Sequence, residues 1–379
     1  MEFSYSREQQ MVKQMLKDFA EKEIAPISAE IDEKAEYPYE TIAKLGKLGL
    51  MGMPFPPEYG GAGSDYLTYI MAIEEISKVD ASHGVIIQTH NALCCWPIYT
   101  YGTEEQKRKY LPDLLSGKHL GAFGLTEPNA GTDAAGTQTK AVLDGDEWVL
   151  NGSKIFISGG GIADVYIIMA MTDKSKGTKG ISSFIVEKGD PGFSVPKHEN
   201  KMGIRGSIAA ELVFEDCRIP KDRLLGQEGK GFKTAMTSLD VGRLGIAAQA
   251  LGIAQGAFDE TVKYMKQRKQ FGKTLDKFQA LSFEMASMKV KIDGARYLLY
   301  DACYRRDAGL PPTVAAAEAK LACSEAASYV VDKAVQFHGG YGYIKDYPVE
   351  RMYRDQKITE IYEGTSEVMK MVMSGEIFK

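Results

Sequence analysis

The apolar residues of this chain change their period twice, and few folds tolerate such a change. Residues 1 to about 118 read at helical spacing, 119–225 read as short β-rich runs separated by turns, and from 226 the helical period returns. That order predicts an α+β multidomain chain. It would comprise an N-terminal α-helical domain (1–118), a middle antiparallel β-barrel or sandwich domain (119–225) and a C-terminal four-helix-bundle-like domain (226–379). With 379 residues there is enough chain for three cores.

Local signals fill in the frame. Ser6-Arg7-Glu8-Gln9 and Thr103-Glu104-Glu105-Gln106 read as capping boxes. The first predicts a helix burying Met11, Met15, Leu16 and Phe19. Pro26 marks a kink or a helix start, 54–63 is a loop dense in Pro and Gly, and 67–79 and 82–101 are helical, the latter buried. In the middle third, Asp144-Gly145 and Asn151-Gly152 read as hairpin turns, the second between strands at 148–150 and 155–157. Further strands are expected at 166–171, 183–186 and 212–214, and Gly159-Gly160-Gly161 is a loop. In the last third, Ile246, Ala250, Ile253 and Ala257 share a helix face. Leu281, Met285, Met288, Ile292, Ala295 and Leu299 alternate four and three apart, as a bundle helix requires. Pro311-Pro312-Thr313 opens another long, Ala-rich helix that ends near Gly339-Gly340.

Several function classes are disfavoured. A net charge of −5 argues against nucleic-acid binding. The five cysteines form no C-x-x-C pair and the five histidines no metal spacing, so a disulfide framework and a metal site are not expected. A reducing, cytoplasmic setting fits, with no membrane span and no signal-peptide core at the N-terminus. No G-x-G-x-x-G occurs, and Gly272-Lys273-Thr274 has Gln267 where a phosphate-binding loop of the Walker type needs glycine.

Three stretches carry chemistry. Ile361-Tyr362-Glu363-Gly364-Thr365-Ser366-Glu367 sets a carboxylate between an apolar wall and a helix start. Gly364 lets a ligand approach, and Thr365 or Ser366 caps the helix that follows. A base, a free backbone amide and a helix N-terminus thus fall within five residues; alone, the same stretch is equally a helix start with a solvated Glu. Gly124-Leu125-Thr126-Glu127-Pro128-Asn129-Ala130-Gly131-Thr132-Asp133-Ala134-Ala135-Gly136 offers hydroxyls and free amides to a polar ring edge or a phosphate, or is a structural loop. Gln336-Phe337-His338-Gly339-Gly340-Tyr341-Gly342-Tyr343, followed by Asp346, Arg351 and Asp355, lets backbone approach something flat or charged, or is a helix C-cap and turn.

Together, in this order, the three stretches resemble the signature segments of the acyl-CoA dehydrogenase family. The likeness spans essentially the whole chain and is nearest the short-chain, butyryl-CoA type. The resemblance implies a bound FAD and α,β-dehydrogenation of an acyl-CoA thioester. Glu363 would abstract the α-proton, the β-hydrogen would pass as hydride to flavin N5, and the Glu363 amide with a ribityl hydroxyl would hold the thioester oxygen. Reduced flavin would exchange electrons with an electron-transferring flavoprotein.

Carried over residue by residue, the resemblance places Phe123, Leu125 and Thr126 along the isoalloxazine. Gly131 and Thr132 fall near pyrophosphate and CoA, and Phe156, Ile157 and Ser158 border the ring. Phe156 and Ser158 stand where the family often has Trp and Thr. Arg268, Phe271, Gln279, Gln336, Gly339 and Gly340 resemble contacts to the adenosine and pyrophosphate of a neighbouring subunit's FAD, which implies a homotetramer built as a dimer of dimers. Thr365 and Glu367 resemble contacts to the same subunit's FAD. Ser182, Asp240 and Arg243 match substrate-contact positions, together with Thr132, Tyr362, Glu363 and Gly364. Some members carry the base where Gly242 stands, so here the resemblance assigns it to Glu363.

Three other readings stay open: a branched-chain substrate of the 2-methylbutyryl-CoA type, an oxidase using oxygen directly, and a non-catalytic acyl-CoA-binding scaffold.

Overall fold

The computed structural model describes residues 5–379. Ser6 and Thr103 form both reciprocal bonds of a capping box, opening α1 (Arg7–Phe19) and α7 (Glu104–Leu115). Between them run α2 (Ala25–Lys34), α3 (Tyr39–Lys47), α4 (Tyr66–Ser77), α5 (Ala81–Thr89) and α6 (Trp96–Tyr101). Single π-turns join α1 to α2 and α5 to α6. Met11 and Met15 are exposed, contrary to expectation. The buried side of α1 carries Leu16, with Val12 and Phe19 partly buried beside it, and continues through Ala20 and Ile24; this is the face packed on the core, next to the one that carries Met11 and Met15. The helix α4 is buried almost all round, being wedged between α1, α5 and the C-terminal helices.

The middle domain is one curled sheet of β1 (Gly121–Gly124), β2 (Lys140–Asp144), β3 (Glu147–Ser158), β4 (Val165–Met171), β5 (Ile181–Glu187), β6 (Phe193–His198), β7 (Ala209–Pro220) and β8 (Leu224–Leu225). The path runs β6-β7-β3-β2-β4-β5-β8, and β1 also pairs with β4. The sheet is mixed, not purely antiparallel: β1 runs parallel to β4, and β2 touches β4 in parallel at Lys140 and Met171. The ring of Tyr166 on β4 lies 4.9 Å from that of Phe193 on β6, although β2, β3 and β7 separate these strands in the sheet. Strands so far apart meet only because the sheet wraps around one apolar interior.

Asn151-Gly152 is not a hairpin. The strand β3 continues through it, and the pairing with β7 shifts register between Leu150 and Gly152. Gly152 has φ of 141°, and a Cβ there would lie 2.7 Å from Thr139, so the dipeptide makes a bulge that bends the strand. The other expected turn, at Asp144-Gly145, does join β2 to β3.

The C-terminal domain packs α8 (Gly231–Gln267), α9 (Gln279–Asp307), α10 (Thr313–His338), α11 (Val349–Gln356) and α12 (Ser366–Ile377), with a hairpin β9 (Lys269–Gln270)–β10 (Lys273–Thr274) after α8. Met288, Ile292, Ala295 and Leu299 form the buried stripe of α9. The centre of α8, from Val241 to Ala254, is enclosed on all sides because α4, α5, α9 and α10 all pack on it. This buried helix carries Gly242, and the N-terminal domain closes over it.

Candidate active site

Glu363 sits in the turn between α11 and α12 with φ of 53°, and Gly364 follows at 102°. A left-handed glutamate costs on the order of 1–3 kcal/mol, and such strain collects at functional sites. Among the described residues six non-glycines have positive φ, and three of them, Phe156, Phe271 and Glu363, were singled out from the sequence.

The Glu363 carboxyl is enclosed. Its Oε1 accepts a 2.8 Å hydrogen bond from Gln88 Nε2, which also donates to the Gly242 carbonyl at 3.0 Å. Its Oε2 is buried and has no hydrogen-bond partner among the described residues. Burial pushes this carboxyl up to about 7, against the opposing pull of Gln88, Arg243 and Lys320. A Cβ built on Gly242 would lie 2.0 Å from Oε2, so residue 242 must lack a side chain for Glu363 to point this way. Gly245 makes the same allowance for Gln88, whose Cγ would be 2.1 Å from a Cβ there.

The main chain around Glu363 is held by two buried cations. Arg243 Nε donates to the Glu363 carbonyl at 3.3 Å, and Lys320 Nζ to the Gly364 carbonyl at 2.6 Å. Arg243 also pairs with Asp240 at 2.7 Å, and Thr313 donates to the other Asp240 oxygen at 2.7 Å. Tyr362 donates its hydroxyl to Gln249 on α8. Thr365 caps α12 by accepting from the Val368 N–H, and Glu367 is exposed in its first turn.

At the entry to the middle domain, Phe123 and Thr126 are half-buried, Leu125 is buried, and Gly131 and Thr132 are exposed. This loop is tied down by an ion pair that sequence reading missed. Lys154, fully buried on β3, meets Glu127 at 2.6 Å and the Leu125 carbonyl at 3.0 Å. Glu127 also accepts the N–H groups of Gln138 and Thr139. Nearby, β3 bulges again between Lys154 and Ile157. There Phe156, with φ of 61°, is thrown out of the sheet and is 63% exposed. Ile157 turns its side chain into the barrel interior, and Ser158 is half-buried beside it.

Ser182 is engaged within the fold. It is fully buried on β5, its hydroxyl shared with Thr172 at 2.9 Å and accepting from the Gly229 N–H at 2.8 Å, so the fold already uses it.

A separate group lies at the far end of α8. Arg268, Gln336, Gly339 and Gly340 line a cleft of about 590 Å³, with the Arg268 guanidinium 5.4 Å from the centre of the Tyr341 ring. A Cβ on Gly339 or Gly340 would meet nothing within 4 Å, so the loop is open to a visitor. Phe271, at the tip of the β9–β10 hairpin, is 93% exposed with φ of 51°, and Gln279 opens α9 on the surface. The structure brings neither Arg268 nor Phe271 to Glu363 by any direct contact.

Comparison with known proteins now decides the family. Residues 6–118, 122–217 and 229–378 match the models of the N-terminal, middle and C-terminal domains of acyl-CoA dehydrogenase. The chain belongs to the acyl-CoA dehydrogenase family. A "short-chain specific" acyl-CoA dehydrogenase of Clostridium acetobutylicum is 60% identical over the full length of both chains. The structure of butyryl-CoA dehydrogenase from Megasphaera elsdenii is 52% identical, with a TM-score of 0.98 and full coverage of both chains. A chain from the structure described as "Electron transferring flavoprotein of Acidaminococcus fermentans: Towards a mechanism of flavin-based electron bifurcation" is 55% identical, with a TM-score of 0.99 and full coverage. The family is flavin-dependent, so this chain is a flavin-dependent oxidoreductase. Its fold is that family's three-domain arrangement of helical, β-sheet and helical domains. No helix among the described residues is long and apolar enough to cross a membrane.

Three buried polar side chains around the site escaped the sequence reading. Gln88 and Lys320 each interrupt an apolar stripe, Gln88 after Val85-Ile86-Ile87 and Lys320 among Ala316, Cys323 and Ala327. Lys154 stands at an inward position of a strand. A polar residue on a face that the period marks as buried was the available signal.

Proposed function

We propose that this chain is a short-chain acyl-CoA dehydrogenase with FAD as its cofactor, Glu363 as its base and an electron-transferring flavoprotein as its redox partner. The reaction is butyryl-CoA to crotonyl-CoA, or the reverse. One observation carries the reading: a buried carboxylate with one oxygen unpartnered, facing a glycine that clears the space in front of it.

The chemistry follows from that carboxylate. An α-proton beside a thioester is weakly acidic, so its base must be placed and desolvated. Burial holds Glu363 near 7, where it is both ionised and basic enough to take the proton on Oε2. Gln88 fixes the other oxygen and so sets the carboxylate plane. The inverted backbone leaves the Glu363 N–H as a donor for the thioester oxygen, whose charge grows as the proton leaves. When bound, the flavin supplies the acceptor for the β-hydrogen and its electron pair.

The residues fit such a cofactor. Phe156, exposed at a strained bulge, offers a flat apolar surface that the fold itself leaves uncovered, and Phe123, Leu125, Thr126, Ile157 and Ser158 adjoin it in sequence or across the sheet. Gly131, Thr132, Thr365 and Glu367 are the further contacts assigned to ring, pyrophosphate and CoA. Arg268, with Phe271, Gln279, Gln336, Gly339 and Gly340, would hold the adenosine and pyrophosphate of a flavin seated in a second copy. A homotetramer accords with the outer face of α9, where Phe283, Val290 and Tyr304 fall at multiples of seven and all are more than half exposed. Asp240, Arg243, Tyr362 and Gly364 complete the substrate side. The three working units are taken as 1–118, 119–225 and 226–379.

The test is an anaerobic titration with butyryl-CoA followed in the flavin's visible absorption. Bleaching with a long-wavelength charge-transfer band is the expected result. A yellow protein that does not bleach moves the substrate to a branched or longer chain. A protein that stays colourless after FAD is added overturns the reading.

A further inference from the structure

Lys320 is fully buried on α10, and the reaction as derived does not use its charge. Burying an ammonium is expensive unless its charge is met. Among the described residues Lys320 forms no ion pair within bonding distance, and its one hydrogen bond is to a neutral acceptor, the Gly364 carbonyl at 2.6 Å. The position matters instead. The Gly364 carbonyl follows two consecutive residues of positive φ, and the preceding carbonyl, of Glu363, is held by Arg243. Two buried cations from two different helices therefore grip two successive carbonyls of the turn that carries the base.

We propose that Lys320 is a positioning residue of this site: its bond to the Gly364 carbonyl locks the inverted turn that aims the Glu363 carboxylate at Gln88 and Gly242, and sets an ammonium charge beside the turn that carries the base. The proposal rests on Glu363 being the base. The charged groups facing Lys320 are Glu363, Arg243, Glu360 and Glu367; Glu363 attracts it most, and Arg243 opposes. Burial lowers the Lys320 ammonium to about 8, so it still carries its charge at neutral pH. Arg243 alone cannot substitute, since its guanidinium is shared with Asp240.

The test is Lys320→Met in the flavin-loaded enzyme, with Glu363→Gln alongside. Lys320→Met should lower kcat about 10- to 100-fold, as small misplacements of a reacting group do, with KM changed much less. The midpoint of the rising limb of kcat/KM against pH should move up by about one unit, because a neighbouring cation has been removed. Lys320→Arg should hold that midpoint near its original place. If Lys320→Met does not fold, Lys320→Gln keeps a donor without charge and should show the same upward midpoint. An unchanged kcat and midpoint in the folded neutral variant overturns the proposal. If Glu363→Gln keeps full turnover, the assignment of the base has failed instead.

Discussion

Two buried lysines sit close to buried glutamates in this molecule, and they do opposite things. Lys154 and Glu127 touch at 2.6 Å, and every other polar neighbour of that carboxylate donates to it. The Lys154 ammonium and these donors hold Glu127 below its ordinary value despite burial. Lys320 and Glu363 do not touch. Lys320 bonds a carbonyl, Gln88 supplies one hydrogen bond to the carboxylate, and Oε2 has none. Burial then prevails and Glu363 rises to about 7. The same two residue types make an inert brace where the carboxylate is fully satisfied and a poised base where it is not.

The largest effect expected from this contrast is at the unsatisfied member. Glu363→Gln should lose about 10²- to 10⁴-fold in turnover while keeping its flavin and its Tm, whereas Glu127→Gln should keep measurable turnover and lose stability; stopped-flow bleaching and thermal unfolding separate the two. Close behind comes Lys154→Met, which strands a buried carboxylate. It should cost about 3–5 kcal/mol in chemical unfolding and weaken flavin binding by loosening the 125–139 loop, and Glu127→Gln added to it should recover part of that loss.

Gly242→Ala sharpens the comparison on the other side. A methyl 2.0 Å from Oε2 forces the carboxylate to rotate, so kcat should fall about 10- to 100-fold with little change in Tm. A turnover equal to that of the parent would show that Oε2 does not face residue 242 during reaction.

The smallest effect is one of pH, and its sign differs between the two glutamates. Glu363 must be ionised to act, so kcat/KM should rise through about pH 7 and fall roughly tenfold per unit below it. Glu127 is depressed in the folded state. Its stabilisation is complete above the unfolded value near 4.5 and is lost only as pH falls through the lower folded value. Glu363, raised in the folded state, has the reverse linkage: its contribution is present below about 4.5 and is lost as pH rises through about 7. Between pH 5 and 7, then, activity should drop while the protein stays folded, measurable by circular dichroism beside initial rates.

Much of this was legible before any coordinates. The changes of period marked out helical, β and helical domains, and both capping boxes formed as their spacing required. The stretch around Glu363 stood out because a glycine and a helix cap follow a carboxylate at an apolar wall. The misreadings have one cause. Asn151-Gly152 looks like a turn by composition, and it became a bulge because β7 pairs across it on both sides. Met11 and Met15 looked buried by period, and the core packs instead on the neighbouring face of α1, the one that carries Leu16. Each depends on a partner distant in the chain.

The sequence by itself determined which segments are helical or extended, which faces are apolar, and that a glutamate stands before Gly-Thr-Ser. What lies opposite those faces was decided only by the tertiary structure. Gln88 reaches Glu363 from 275 residues away, Lys320 reaches Gly364 from 44, and Lys154 reaches Glu127 from 27. A hydrophobic period reports that a face leaves water, and it carries no information on which polar group will meet a buried charge there. In this protein that meeting sets the carboxylate pKa, and so separates the base from the brace.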